Sequence, residues 1–160
     1  MGAFLSIPLL AVAAALQASL IPQIRLLGGG PDLVFLLVMS WAIDGAPEEG
    51  IIWAFTGGIM LDLLSYNPTG TSVLGMLALV FLITGLQQRV YRVGIILLAG
   101  LVIVGTLFQQ LVVMGVLTMS GFSIDWAIGL TYVVAPTILY NLVLIWPIYW
   151  LVRRLQRRLS

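Results

Sequence analysis

Asp62 is the residue of this 160-residue chain best placed to do chemistry, because it is a carboxylate set in an apolar run. A carboxylate in hydrocarbon costs about 2.5–3.5 kcal/mol on insertion scales, so it must face protein or water and have a partner. Gly50, Ala54, Gly58 and Asp62 recur at four-residue spacing. On a helix they form one inclined ridge of small residues that ends in the acid, with Gly57 beside it. Such a ridge is a packing seam, for the chain's own helices or for a partner helix; a lone membrane carboxylate could also carry a proton.

The other polar side chains in apolar surroundings are Gln17, Gln109, Gln110 and Asn141, and the charges nearest them are Arg25, Asp32, Asp44, Glu48 and Glu49. Intramembrane amides glue helices together at roughly 0.6 kcal/mol per bond, or line a pocket for a small ligand. No catalytic set accompanies them. A serine hydrolase needs a histidine-like base, and the chain has no histidine. A glycosidase needs two facing carboxylates, and Asp32 and Asp62 are the only pair at comparable depth. Without cysteine or histidine there is no disulfide or thiolate site and none of the commonest zinc ligands, so neither metal nor cofactor is expected.

The elements that carry these residues follow from composition. A chain that is 61% hydrophobic and 8% charged, with mean hydropathy +1.15, is an integral membrane protein rather than a soluble globule. It has room for one all-α domain of about six spans of about 20 residues. The expected spans are 3–22, 31–45, 48–66, 71–88, 93–119 and 125–152, with a basic tail at 153–160. The first is read as a retained span, not a cleaved leader, because a basic n-region is missing and the apolar stretch continues past Ala13, Ala14 and Ala15.

Pro31 with Asp32, and Pro47 with Glu48 and Glu49, are helix-start chemistry. Thr71 and Ser72 read as N-caps of the fourth span. The second span has an apolar core of only 33–43; either the bilayer thins around it or its polar flanks lie within protein. Trp41, Trp53, Trp126, Trp146 and Trp150 fall mostly near span ends, as in an interfacial belt.

Charge sets the orientation. Six spans put both termini on one side, and a cytoplasmic placement leaves Arg89, Arg92, Arg153, Arg154, Arg157 and Arg158 inside and only Arg25 outside. Four arginines directly after a span are an anchor on an anionic leaflet, at about 1 kcal/mol each, rather than a nucleic-acid site. Asp62, about 18 Å beyond Gly50 on an outward-running helix, is then expected in the outer half. Gln17, Arg25, Asp32, Gln109 and Gln110 share that side. Gln109 or Gln110 is the expected hydrogen-bond partner of Asp62, with Arg25 as the charged alternative. Asn141 is expected near the cytoplasmic face with Asp44, Glu48 and Glu49.

The chain resembles a known family in Pro31, Asp32 and Leu33 opening a short span, in Trp41, and in the turn Gly45, Ala46, Pro47, Glu48, Glu49, Gly50. Phe55, Thr56, Gly57 and Gly58 followed by Leu61, Asp62 and Leu63, then Pro68 and Gly70, extend the likeness. So do Pro136, Thr137, Ile138, Leu139, Tyr140 and Asn141, with Pro147 and the arginine-rich end. These elements look like the rod shape-determining protein MreD. The resemblance implies a non-enzymatic scaffold subunit of the bacterial cell-elongation machinery, which builds peptidoglycan. It implies binding in the cytoplasmic membrane to MreC, a single-span protein, alongside the MreB filament, a RodA-type glycosyltransferase and a class B transpeptidase. It further implies a six-helix fold similar to the S subunits of energy-coupling-factor vitamin transporters. A vitamin-binding S subunit is therefore the alternative function, and a small proton-coupled carrier a third, although no internal repeat supports the latter. A glycine ridge would serve a homo-oligomer as readily as a foreign helix.

Overall fold

A helix that is apolar on every side is satisfied either by lipid along a full span or at the centre of a bundle, and the shortest helix here occupies the centre. The computed structural model describes residues 2–24, 29–64, 68–89 and 94–159. Arg25 and Arg92 lie outside them, so the roles expected of these residues have no structural counterpart here. Among the described residues the chain is all-helical: α1 (Gly2–Ile24), α2 (Leu33–Asp44), α3 (Pro47–Leu64), α4 (Thr71–Gln87), α5 (Ile95–Met119) and α6 (Trp126–Leu159). Helices α1, α5 and α6 are long and apolar enough to cross a membrane, whereas α2 and α4 are shorter apolar helices. Helix α3 has 18 residues but opens on Glu48 and Glu49 and holds Asp62.

Neighbouring contacts run α1–α3–α4–α5–α6, and α2 packs inside this arc against α1, α3, α4 and α6. Phe35 of α2 reaches α5 at Gly105. Every residue of α2 from Val34 to Ile43 is buried, whereas α5 shows one buried stripe: Leu98, Leu101, Val102, Gly105, Thr106 and Gln109. That three-and-four spacing turns its other face outward. Helix α6 starts on the Asp125 carboxylate, which accepts from the Ala127 and Ile128 amides. It is wound π-fashion over Gly129–Val134, just before Pro136. Proline has no N–H to return to the preceding turn, and a locally wider winding is a usual accommodation.

Trp41 and Trp53 do not join an interfacial belt. Their rings stack at 4.3 Å between centroids, at 12°, in the core between α2 and α3, with 2% and 0% exposure. Position near a span end misplaces them because both rings turn inward against each other between α2 and α3. Trp126, Trp146 and Trp150 are exposed.

Candidate functional site

Eight backbone groups at the two ends of any helix lack intrahelical partners. In a buried helix within an apolar bundle each one left bare costs several kcal/mol, and the polar side chains of this chain are distributed accordingly. At the start of α2 the Val34 amide donates to Gln17 Oε1 of α1 (3.1 Å) and the Phe35 amide to the Asp32 carboxylate (3.1 Å). The Asp32 amide donates to Asn141 Oδ1 of α6 (3.0 Å), while Asn141 Nδ2 donates to Thr106 Oγ1 of α5 (2.9 Å). At the other end Gln156 Nε2 of α6 donates to the Trp41 carbonyl (3.1 Å), as does the Gly45 amide (2.8 Å). Gln87 Nε2 of α4 donates to the Ala42 carbonyl (2.6 Å) and to that of Ile43.

The acids of the turn after α2 are engaged beside this end. Asp44 accepts from the Tyr149 hydroxyl (2.7 Å) and lies 3.9 Å from Arg153 Nε. Glu49 accepts from Trp41 Nε1 (3.1 Å), and Glu48 stays exposed. Asn141 therefore does not sit with Asp44, Glu48 and Glu49 as span counting placed it. It lies at the Asp32 end of α2, about 18 Å away by helical rise, because α2 is short and Asp44 is matched to Tyr149 and Arg153, two to three turns further along α6.

Asp62 is 4% exposed, and its partners are neither Gln109 nor Gln110. Its carboxylate accepts the backbone amides of Gly70 (2.7 Å) and Ser72 (3.1 Å), so the acid that ends α3 caps the start of α4. Gly70, with φ of 100°, makes no side-chain cap of its own, and the Thr71 hydroxyl donates back to the Pro68 carbonyl (2.7 Å). The N-cap role expected of Thr71 and Ser72 thus falls to Asp62. Negative charge is favoured at that position by the exposed amides and the helix dipole. Gln109 is buried one turn further along, its Oε1 pressed against Gly75 and without a hydrogen-bond partner among the described residues. Gln110 is half-buried.

The small-residue ridge is filled by this chain's own helices. A Cβ added at Gly50 would meet Val80 and Ala42, one at Gly57 would meet Val34, Val38 and Leu10, and one at Gly58 would meet the Val73 backbone. Ala54 is fully buried. The ridge joins α3 to α4 on one side and to α2 and α1 on the other, so it offers no free face to a partner. The arginines end α6: Arg153, Arg154, Arg157 and Arg158 are exposed, with Arg154 over the Trp150 ring at 5.3 Å.

Sequence reasoning missed Gln87, Gln156 and Thr106. Gln87 reads only as a polar residue closing the fourth span and Gln156 only as part of the basic tail, and the available signal was that a buried 12-residue helix must borrow partners for its last carbonyls. The Asn141 bonds give a direct test. Asn141→Leu leaves the Asp32 amide and the Thr106 hydroxyl short of a partner in the core, and is expected to cost about 2–4 kcal/mol in thermal unfolding of the detergent-solubilised protein. Tyr149→Phe, at an exposed bond, should cost under about 1 kcal/mol.

Among the described residues no three acidic side chains come close enough together to hold a metal ion. No curated protein and no solved structure matches the chain. Residues 1–159 match the family described as rod shape-determining protein MreD. That match spans the bundle from α1 through the arginine-bearing end of α6, and the chain belongs to the MreD family, non-enzymatic shape-determining proteins of the membrane.

Proposed function

We propose that this protein is a scaffold subunit of the bacterial elongation machinery and that it binds an MreC-like single-span protein through its helices. In this reading all six helices lie within the cytoplasmic membrane and both termini face the cytoplasm. The MreB filament, a RodA-type glycosyltransferase and a class B transpeptidase are reached indirectly. The family match over residues 1–159 carries the proposal. The use of the polar side chains supports it: Gln17, Asp32, Gln87, Asn141, Gln156 and Asp62 hydrogen-bond helix ends. The helix arrangement in this reading follows the S subunits of energy-coupling-factor transporters without their ligand, since those amides are occupied by backbone. Asp62, held by two amides, is likewise poorly suited to a proton carrier.

With the ridge filled, this reading assigns the partner helix to the α5 face around Gly100 and Gly115, where an added Cβ would meet nothing within 4 Å. Ile96, Val104, Leu107 and Leu111 flank it and are exposed. Small residues flanked by larger ones let two backbones approach closely. The chain has no cysteine, so single cysteines at 104, 107 and 111 can be cross-linked to one in the transmembrane helix of the coexpressed MreC-like protein. The expected products are heterodimers from these positions and none from cysteines at 4 and 12 on α1. Cross-links from α1 alone would move the interface, self-links from α5 would make the partner a second copy, and failure to copurify would remove the scaffold reading.

A further inference from the structure

The geometry points to a binding site for one anionic phospholipid along the outer face of the second half of α6, its phosphate held by Arg154 and its neighbours. This rests on the membrane reading of the chain. Leu139, Val143, Trp146, Trp150, Arg154 and Arg157 follow one another at four- and three-residue steps, so they form a single line along the helix. The first four are 65%, 69%, 42% and 61% exposed, which makes a continuous apolar strip facing away from the bundle. From Leu139 to Arg154 the helix rises about 22 Å, enough for the roughly 15 Å of hydrocarbon in one leaflet and the glycerol-phosphate zone above it.

The arginine end of the strip is held in place. The other side of the same turns is docked on the bundle, with Val152 fully buried and Gln156 bonded to the Trp41 carbonyl. Arg153, toward that side, lies 3.9 Å from the Asp44 carboxylate. Arg154 points the other way, its guanidinium over the exposed Trp150 ring at 5.3 Å, and Arg158 is one turn above it. An indole at the level where acyl chain meets headgroup, beneath a guanidinium with a planar fork of donors, matches a phosphodiester on a lipid. Charge complementarity selects a net-negative headgroup over a zwitterionic one. A nucleic acid would meet the arginines but leave the apolar strip unused.

The test is native mass spectrometry of the full chain released from micelles containing equal phosphatidylglycerol and phosphatidylcholine. The wild type is expected to retain one phosphatidylglycerol preferentially. Arg154→Gln should lower that preference about fivefold, Trp150→Leu should lower it too, and Arg153→Gln should change it less than about twofold. Equal retention of the two lipids by the wild type would overturn the site. Equal losses in Arg153→Gln and Arg154→Gln would also overturn it, because they would reduce it to diffuse charge. So would retention of an RNA oligonucleotide with no lipid preference.

Discussion

Gly58→Ala is expected to destabilise the protein by about 3 kcal/mol or more, the largest effect of adding one methyl group anywhere along α3. An added Cβ would lie 2.6 Å from the Val73 Cα and 2.7 Å from its backbone nitrogen. Neither atom can rotate away, so the two helices must separate. Overpacking a core costs about 1–3 kcal/mol when side chains can adjust, and a clash with backbone belongs at or above the top of that range. Separation would also loosen Gly50 from Val80 further along the seam. The check is the thermal midpoint in detergent beside Gly100→Ala, where the new methyl meets nothing within 4 Å. That control should be neutral or up to about 1 kcal/mol more stable, since alanine is the better helix former. Equal losses at both positions would mean that the close approach of α3 and α4 does not decide stability.

Asp62→Ala is the second large effect, expected at about 3–5 kcal/mol. It removes a charged acceptor from two amides, each bond contributing roughly 1.5–3 kcal/mol, and leaves both donors in an apolar setting. Asp62→Asn keeps one carbonyl oxygen and should lose about half as much. Hydrogen exchange makes the readout local: the Gly70 and Ser72 amides should lose protection in Asp62→Ala while the middle of α5 keeps it. Unchanged protection at the start of α4 would show that another group caps it. The same pair of variants bears on the proton-carrier alternative, because a capping carboxylate predicts a graded loss of stability rather than loss of a flux.

Local chemistry could be read from the sequence wherever cause and effect lie on one helix. The four-residue spacing of Gly50, Ala54, Gly58 and Asp62 requires a seam, Asp32 does start a helix, and the acids at Glu48 and Glu49 lie in the first turn of α3. Assignments that needed depth failed where a helix stops short. Asn141 was placed by counting residues from the end of its span, a method that assumes every helix is as long as the bilayer is thick. Asp44 pairs with Tyr149 and Arg153, which leaves the other end of the 12-residue α2 level with Asn141. The partner of Asp62 was sought among side chains, although the nearest unsatisfied donors were backbone amides eight and ten residues ahead. Turn chemistry alone could have suggested that, because Gly70 supplies no cap of its own. That α2 is enclosed was one of two readings of its short apolar core, and only its neighbours decide between them.

The partners of α2 arrive at very different times during synthesis. Gln17 and Asp32 precede or adjoin it in the chain, so its first turn can be satisfied as soon as it leaves the ribosome. Gln87 reaches the Ala42 and Ile43 carbonyls from 45 and 44 residues further on, and Asn141 and Gln156 reach the Asp32 amide and the Trp41 carbonyl from 109 and 115 residues further on, so the set is completed only near the end of translation. A 12-residue segment in that condition has little reason to remain in lipid by itself. Its polar partners are complete only when α6 emerges, which makes the last helix made the one that locks the first buried one in place.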